Sequence, residues 1–243
     1  MELPDHISIA LLKNDAGYKL SISADAHERI THNRNYLDKI LDGSKTYYGI
    51  NTGFGSLCNV RIKEDELSQL QENLVCSHAC GMGDEVPGDI VRLMLLLKVH
   101  GLSQGYSGVR PEIVYRLTDF YSRGITPIVY ELGSLGASGD LAPLAHLSLP
   151  LFGKGEVRYK GIKIHAAEAL KAEGLQPITL SAKEGLALLN GTQFMSAYWP
   201  GPILLARFPQ MLLWSRTSRF SIPYTGYART RDRWLRPAVS SIC

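Results

Sequence analysis

Hydrophobic and polar positions follow one another along this chain mostly with the period of an α-helix. Apolar residues that recur every three or four positions lie on one face of a helix. Six segments have this pattern or are strongly apolar: 24–42, 64–80, 88–104, 111–123, 165–173 and 182–190. Gly43 follows the first segment, and Pro87 and Pro111 stand where the start of a helix tolerates proline. The pattern predicts a mainly α-helical protein.

A smaller part of the chain has other patterns. Residues 156–164 alternate around Lys160 and Gly161, which predicts a small β-hairpin. Residues 46–62 and 124–139 are interpreted as loops, the first of them punctuated by glycines. Asp140 is expected to cap a short helix that ends near Pro150. The fold class predicted is therefore mainly α with minor β structure.

Composition narrows the classes of function. The chain has 243 residues, of which 45% are hydrophobic and 20% charged, as in soluble globular proteins. Its first residues do not have the pattern of a signal peptide, and its longest apolar run, 93–97, ends at Lys98 and is too short for a bilayer. Four cysteines without a disulfide framework favour the cytoplasm. We expect no membrane partner.

The charge changes abruptly near residue 197. Residues 1–197 have 19 basic and 22 acidic side chains, whereas residues 198–243 have 7 arginines, one aspartate and all three tryptophans. A soluble surface normally mixes both signs. We expect residues 1–197 to form one region and 198–243 to be a basic tail that is out of frame or otherwise aberrant, and not a domain. The alternative is a basic arm for an acidic partner, but a net charge of +3 does not indicate nucleic acid.

Two short patterns suggest chemistry but support it weakly. Residues 136–140 (GASGD) lack the final glycine of the G-x-S-x-G hydrolase elbow and follow a loop rather than a strand. Cys76, His78 and Cys80 lie at positions i, i+2 and i+4, which do not share one face of a helix. We therefore predict neither an acyl-transfer serine nor a metal site.

The triplet Ala137-Ser138-Gly139 allows a less common reaction. Gly139 has no Cβ, so its nitrogen can approach the carbonyl carbon of Ala137 closely. If this nitrogen attacks that carbon and two waters leave, one of them carrying the Ser138 hydroxyl, a five-membered electrophilic ring with an exocyclic alkene results. By spacing alone, an ordinary flexible turn before a helix is the better interpretation.

Five segments change this interpretation. YGINTGFG (48–55), SHACGMG (77–83), GYSGVRPE (105–112), GSLGASGDLAPLAHLSLPLFGKGEV (133–157) and EGLALLNGTQFMSA (184–197) resemble, in the same order, segments of the histidine/phenylalanine ammonia-lyase family. The resemblance implies the N-terminal part of a helical, fumarase/aspartase-like fold, a homotetramer, and a 4-methylideneimidazol-5-one (MIO) cofactor formed from Ala137, Ser138 and Gly139.

The same resemblance assigns roles to three further residues. Tyr48 matches the tyrosine that removes a proton from the substrate, and Asn190 matches an asparagine near the ring and the substrate's amino group. His78 stands where histidine-specific members have histidine. For each residue alone, a structural role is the simpler explanation: a packed loop aromatic for Tyr48, a core histidine for His78 and a helix C-cap for Asn190.

The resemblance therefore implies a carbon–nitrogen lyase that converts L-histidine to trans-urocanate and ammonia. Tyrosine or phenylalanine ammonia-lyase or aminomutase activity is the alternative within the family. The resemblance ends near Ala197, before the arginine that would bind the substrate carboxylate. We therefore expect the 243-residue chain to be inactive. The alternative from another class is a non-catalytic fragment of a disrupted lyase gene.

Overall fold

The computed structural model describes residues 19–41, 43, 45–53 and 60–198. The basic tail expected at 198–243 lies, except for its first residue, outside the described residues. Helices make up most of the described chain, so the predicted mainly α fold class is confirmed. None of the helices in the described part is long and apolar enough to cross a membrane.

The helices begin and end close to the predicted positions. They are α1 (Ala24–Leu41), α2 (Glu64–His78), α3 (Gly88–Ser103), α4 (Pro111–Arg123), α5 (Leu141–Ser148), α6 (Ala166–Ala172), α7 (Glu184–Leu189) and α8 (Gln193–Tyr198). α8 was not predicted, because only two residues separate Asn190 at the end of α7 from its first residue, and six residues show too little periodicity. Single 3₁₀ turns cover Gly136–Ser138 and Leu149–Phe152.

Five short strands form two small antiparallel sheets. The strands are β1 (Met82–Glu85), β2 (Thr126–Pro127), β3 (Tyr130–Leu132), β4 (Glu156–Tyr159) and β5 (Ile162–His165). β4 and β5 form the predicted hairpin, with Lys160 and Gly161 in its turn. The expectation of a loop over 124–139 was wrong in part, because β2 pairs with β4 and β3 pairs with β1. Pairing with distant segments has no local signal in so short a strand.

α3 lies at the centre of the fold. It packs against both α4 and α8. Its buried side chains include Met94, Leu95, Leu96 and Val99. A helix that is apolar on most of its circumference is buried in a core. The predicted strongly apolar helix is therefore the one that the other helices cover.

α5 and α7 position the residues of interest. α5 packs against α2, α7 and α8, and α7 packs against α2. The loop that precedes α5 therefore lies beside the break between α7 and α8. This arrangement brings two motifs, 133–147 and 184–197, to one place in the fold.

Candidate active site

The Ala137-Ser138-Gly139 triplet forms a tight turn. The amide of Ser138 donates to the carbonyl of Leu135 at 2.9 Å, and the amide of Gly139 donates to the carbonyl of Gly136 at 3.2 Å. The Ser138 hydroxyl also donates to the Leu135 carbonyl, at 3.0 Å. Ala137 and Ser138 are exposed. The turn therefore presents the serine at the surface on a compact backbone.

Gly139 is in a position that only glycine occupies without strain. Its φ of 90° lies in the left-handed region, which disfavours residues with a Cβ. A Cβ at this position would also lie 3.0 Å from the carbonyl oxygen of Gly191. The same oxygen accepts a hydrogen bond of 2.9 Å from the amide of Asp140. The structure thus holds the triplet against the segment that follows α7.

Asp140 is not the helix cap that was expected. Its side chain makes no capping bond to α5. It is fully buried, and its two carboxylate oxygens accept from the hydroxyl of Ser134 and the amide of Met195, each at 3.0 Å. A buried carboxylate needs donors, and those on the loop and on α8 meet it in this fold. Asp140 therefore ties the loop to α8.

Asn190 ends α7 beside the triplet. Its main-chain amide and its side-chain Nδ2 both donate to the carbonyl of Leu186, at 3.0 and 2.9 Å, while the residue itself is exposed. These bonds are those of a helix end. The structure brings Asn190 and Gly191 to the triplet.

Lys98 lies directly behind Asn190 and was missed by the sequence analysis. The side chain comes from α3 and is buried, and its Nζ donates to the carbonyls of Ala187 at 2.8 Å and Asn190 at 3.0 Å. Burial lowers the pKa of Lys98 to about 7, because a low-dielectric surrounding disfavours the ammonium. The only signal in the sequence was a lysine at the end of an apolar run.

His78 is the last residue of α2. Its Nδ1 donates to the carbonyl of Leu74 at 2.8 Å, so Nε2 is the acceptor of the neutral ring. Cys76 and Cys80 are free thiols. Among the described residues no group of three histidine, cysteine or acidic side chains could hold a metal ion.

The segment after His78 packs against the start of the triplet's loop. The amide of Gly81 donates to Nε2 of His146 at 2.9 Å, and a Cβ on Gly133 would lie 3.1 Å from the Cα of Gly81. Burial lowers the pKa of His146, which favours the neutral ring that accepts this bond. These contacts connect Gly81 with the loop and with α5, and neither of them involves His78 or the triplet.

Tyr48 lies in a separate turn. Its side chain is 61% exposed, and the segment 45–53 is ordered around Asn51, whose Oδ1 accepts from the amide of Tyr47 at 2.7 Å. The remainder of this motif, 54–59, lies outside the described residues. The contacts described for the triplet reach Gly191. The turn of Tyr48 is joined instead to the residues that precede α2, because the amide of Gly53 donates to the carbonyl of Val60 at 3.2 Å and the amide of Ile62 donates to the carbonyl of Asn51 at 3.0 Å.

Comparisons with known proteins match the part of the chain that contains these motifs. A sequence model of a family described as aromatic amino acid lyase matches residues 3–218. A histidine ammonia-lyase of Legionella pneumophila (strain Lens) is 51% identical over 196 residues, which are 80% of this chain and 39% of that protein. The chain therefore spans about two fifths of the length of the curated relatives it matches.

Solved structures resemble the fold. Histidine ammonia-lyase from Trypanosoma cruzi superposes with a TM-score of 0.75 at 37% identity, over 82% of this chain and 38% of that one. Tyrosine aminomutase from Streptomyces globisporus superposes with a TM-score of 0.74 at 33% identity, over 80% and 37% of the two chains.

Proposed function

We propose, since the chain belongs to the aromatic amino acid lyase family, that it supplies the electrophile-forming part of a histidine ammonia-lyase. Such an enzyme is a carbon–nitrogen lyase that eliminates ammonia from L-histidine and releases trans-urocanate. One observation carries the proposal: the tight turn of Ala137, Ser138 and Gly139 lies against Gly191 and leaves Ser138 exposed.

The triplet fits closure to an MIO ring. Closure joins the nitrogen of Gly139 to the carbonyl carbon of Ala137, and two waters leave, one with the carbonyl oxygen and one with the Ser138 hydroxyl. The 3₁₀ turn keeps this backbone compact, and the space where a Cβ of Gly139 would lie is bounded by Gly191. The ring, once formed, supplies an electrophile that makes the substrate's amino group a leaving group.

Three side chains serve the substrate in this proposal. Tyr48 accepts the β-proton, because elimination needs a positioned base. Asn190 lies beside the triplet and contributes its amide near the substrate's amino group. Nε2 of His78, which the bond between Nδ1 and Leu74 leaves as an acceptor, suits an N–H of an imidazole substrate.

Histidine is favoured over other aromatic amino acids by the relatives. The curated matches at 50–51% identity that we compared are named histidine ammonia-lyase. A tyrosine or phenylalanine ammonia-lyase or aminomutase is the second candidate, supported by the similarity in fold to tyrosine aminomutase from Streptomyces globisporus. Since Cys76 and Cys80 are free thiols, the reducing cytoplasm is the compartment we propose.

We further propose that residues 1–197 are the lyase region, that 198–243 form no domain, and that this chain alone has little or no activity. The chain spans 39% of the length of its relative, and Leu132 and Leu135 near the triplet are 61% and 73% exposed. An apolar surface of this kind normally packs against other protein. In the homotetramer that the resemblance implies, another subunit would cover this apolar surface. If the surface stays uncovered, the chain is a non-catalytic fragment.

The first experiment is mass spectrometry of the peptide 124–154 from the purified chain. We expect it to be lighter by two waters. Ser138→Ala removes the hydroxyl that must leave, so its peptide should have the unmodified mass. Ser148→Ala is the matched control, because it removes a hydroxyl from the same peptide that donates to the carbonyl of Leu144 at 2.7 Å within α5, and should keep the loss.

The second experiment measures urocanate released from L-histidine, with L-tyrosine and L-phenylalanine as the competing substrates. Ring closure without product supports an electrophile-forming part that needs further protein. An unmodified peptide 124–154 would refute the proposed cofactor for this chain and favour the non-catalytic fragment. Product from tyrosine or phenylalanine, but not from histidine, would favour the second candidate.

A further inference from the structure

Lys98 has an unusual environment for a lysine. Lysine side chains are rarely buried unless they are paired with an acid, yet both hydrogen bonds that the structure gives Lys98 go to main-chain carbonyls, those of Ala187 and Asn190. Its ammonium is buried in the core between α3 and α7. A charge kept in such a place is costly, so its position calls for an explanation.

The two carbonyls belong to the end of α7. The last four carbonyls of a helix have no partner within it, and a cation at this end also interacts favourably with the helix dipole. α7 has only six residues, Glu184–Leu189, so its own hydrogen bonds determine the position of its end weakly. Lys98, on α3, supplies the hydrogen-bond donor that the carbonyls at the end of this short helix lack.

The end of α7 leads directly to the triplet. Lys98 holds the carbonyl of Asn190, and the next carbonyl, that of Gly191, accepts from the amide of Asp140 at 2.9 Å. The Gly191 oxygen also bounds the space beside Gly139 at 3.0 Å from a Cβ placed there. The carbonyl that Lys98 binds, that of Asn190, is therefore only one peptide unit away from the carbonyl of Gly191, which contacts the triplet.

We propose that Lys98 is a positioning residue, which sets the place of Asn190 and Gly191 and through them the conformation of the Ala137–Gly139 turn. Its role in ring closure rests on the proposed function, whereas its role in holding the turn does not. Lys98 itself touches no reacting atom in this arrangement. We therefore expect removal of the Lys98 side chain to disturb the conformation of the triplet more than the rest of the fold.

The test compares three variants of the full chain. Lys98→Met removes the donors and the charge at similar length, and Lys98→Arg keeps both. Leu117→Ala is the control for general destabilisation, because Leu117 is buried on α4, which packs against α3 rather than α7. The measurements are the rate of two-water loss from the peptide 124–154 and the hydrogen exchange of the Asp140 amide, at conditions of equal folded fraction.

We expect Lys98→Met to slow the two-water loss at least tenfold and to speed exchange at Asp140 at least tenfold. Leu117→Ala should leave both rates within about twofold of those of the unsubstituted chain. Lys98→Arg should bring both rates most of the way back to those of the unsubstituted chain. If Lys98→Met and Leu117→Ala behave alike in both measurements, Lys98 is only a core residue and the proposal is overturned.

Failure of the proposed function has a different signature. If the unsubstituted chain loses no water, the cofactor proposal fails, and exchange at Asp140 alone decides the role of Lys98. If Lys98→Met does not fold, Lys98→Gln replaces it, because a glutamine side chain has no charge and ends one atom short of the lysine Nζ, which weakens the bonds to the carbonyls of Ala187 and Asn190. Unchanged exchange at Asp140 in Lys98→Gln would overturn the proposal.

Discussion

The two ends of α7 are both held by buried ionisable side chains, but in different ways. At the beginning, the carboxylate of Glu184 is fully buried and accepts from Nε and Nη2 of Arg110 at 2.9 and 3.0 Å and from the amide of Ser181 at 2.6 Å. At the end, Lys98 donates to carbonyls only. One end is held by opposite charges, the other by a single amine that donates to main-chain carbonyls.

This difference determines how each end responds to its surroundings. The bond to Glu184 raises the pKa of Arg110, so the guanidinium of Arg110 stays charged at any ordinary pH. Burial without an acid lowers the pKa of Lys98 to about 7. The beginning of α7 is thus a constant anchor, whereas the end beside the triplet depends on the protonation of one amine.

The largest effect is expected from removing the anchor. Glu184→Ala leaves Arg110 and the nearby Arg34, whose Nη1 is 4.0 Å from the carboxylate, without their buried partner. We expect the free energy of unfolding to fall by about 3 kcal/mol, because the guanidinium of Arg110 and the amide of Ser181 lose the buried carboxylate that accepts from them. Urea denaturation at pH 7 measures it.

The matched control for this prediction is on the same arginine. Glu112 is a partner of Arg110 at 3.2 Å on the surface, with 53% of its side chain exposed. Glu112→Ala should cost at most about 1 kcal/mol, as exposed ion pairs do. Equal losses for the two variants would contradict the view that burial makes Glu184 the anchor.

The two ends of α7 should differ in how their contribution to the free energy of unfolding depends on pH. The pKa of Lys98 is about 7 in the folded chain against 10.5 for an ordinary lysine, so between these values the unfolded chain binds more protons. The stabilisation from Lys98 is therefore complete above pH 10.5 and is lost as the pH falls towards 7. Relative to Lys98→Met, the unsubstituted chain should gain up to about 1.4 kcal/mol per pH unit in this range.

Urea denaturation of both proteins at pH 7, 8 and 9 measures this difference, in which the other titrating groups cancel. The same comparison with Glu184→Ala should show no comparable slope, because its partner Arg110 stays ionised throughout. If the difference in free energy of unfolding between the unsubstituted chain and Lys98→Met stays constant or falls as the pH rises, burial does not lower the pKa of Lys98.

The smallest effect tests the contact between the end of α7 and the triplet. In a Ser138→Ala background, where no ring can form, Gly139→Ala should lower the free energy of unfolding by about 2 kcal/mol, through left-handed strain and the oxygen of Gly191. Gly124→Ala, with φ of 66° and open space around its Cβ position, should cost only the strain, about 1 kcal/mol.

Urea denaturation of the two double variants gives this comparison directly. A cost for Gly139→Ala no larger than that for Gly124→Ala would mean that Gly191 does not confine the triplet. The end of α7 would then be separate from the turn, and the difference between its two ends would have no consequence for the candidate site.

The motifs predicted more of this molecule than the periodicity did. Family membership, inferred from five ordered segments, is confirmed by the match over residues 3–218. Periodicity located most of the helices and the hairpin around Lys160, but it missed α8 and the pairing of β1 with β3. The roles of Tyr48, His78 and Asn190 remain predictions, as does the ring.

The sequence by itself determined the helices, the hairpin and the requirement for a small, flexible triplet, because periodicity, turn residues and the absence of a Cβ are local properties. Only the tertiary structure decided that Asp140 binds Ser134 and Met195 instead of capping α5, and that Lys98 lies behind Asn190. A buried charge takes the donors or acceptors that packing brings to it, and those of Lys98 are about 90 residues away along the chain.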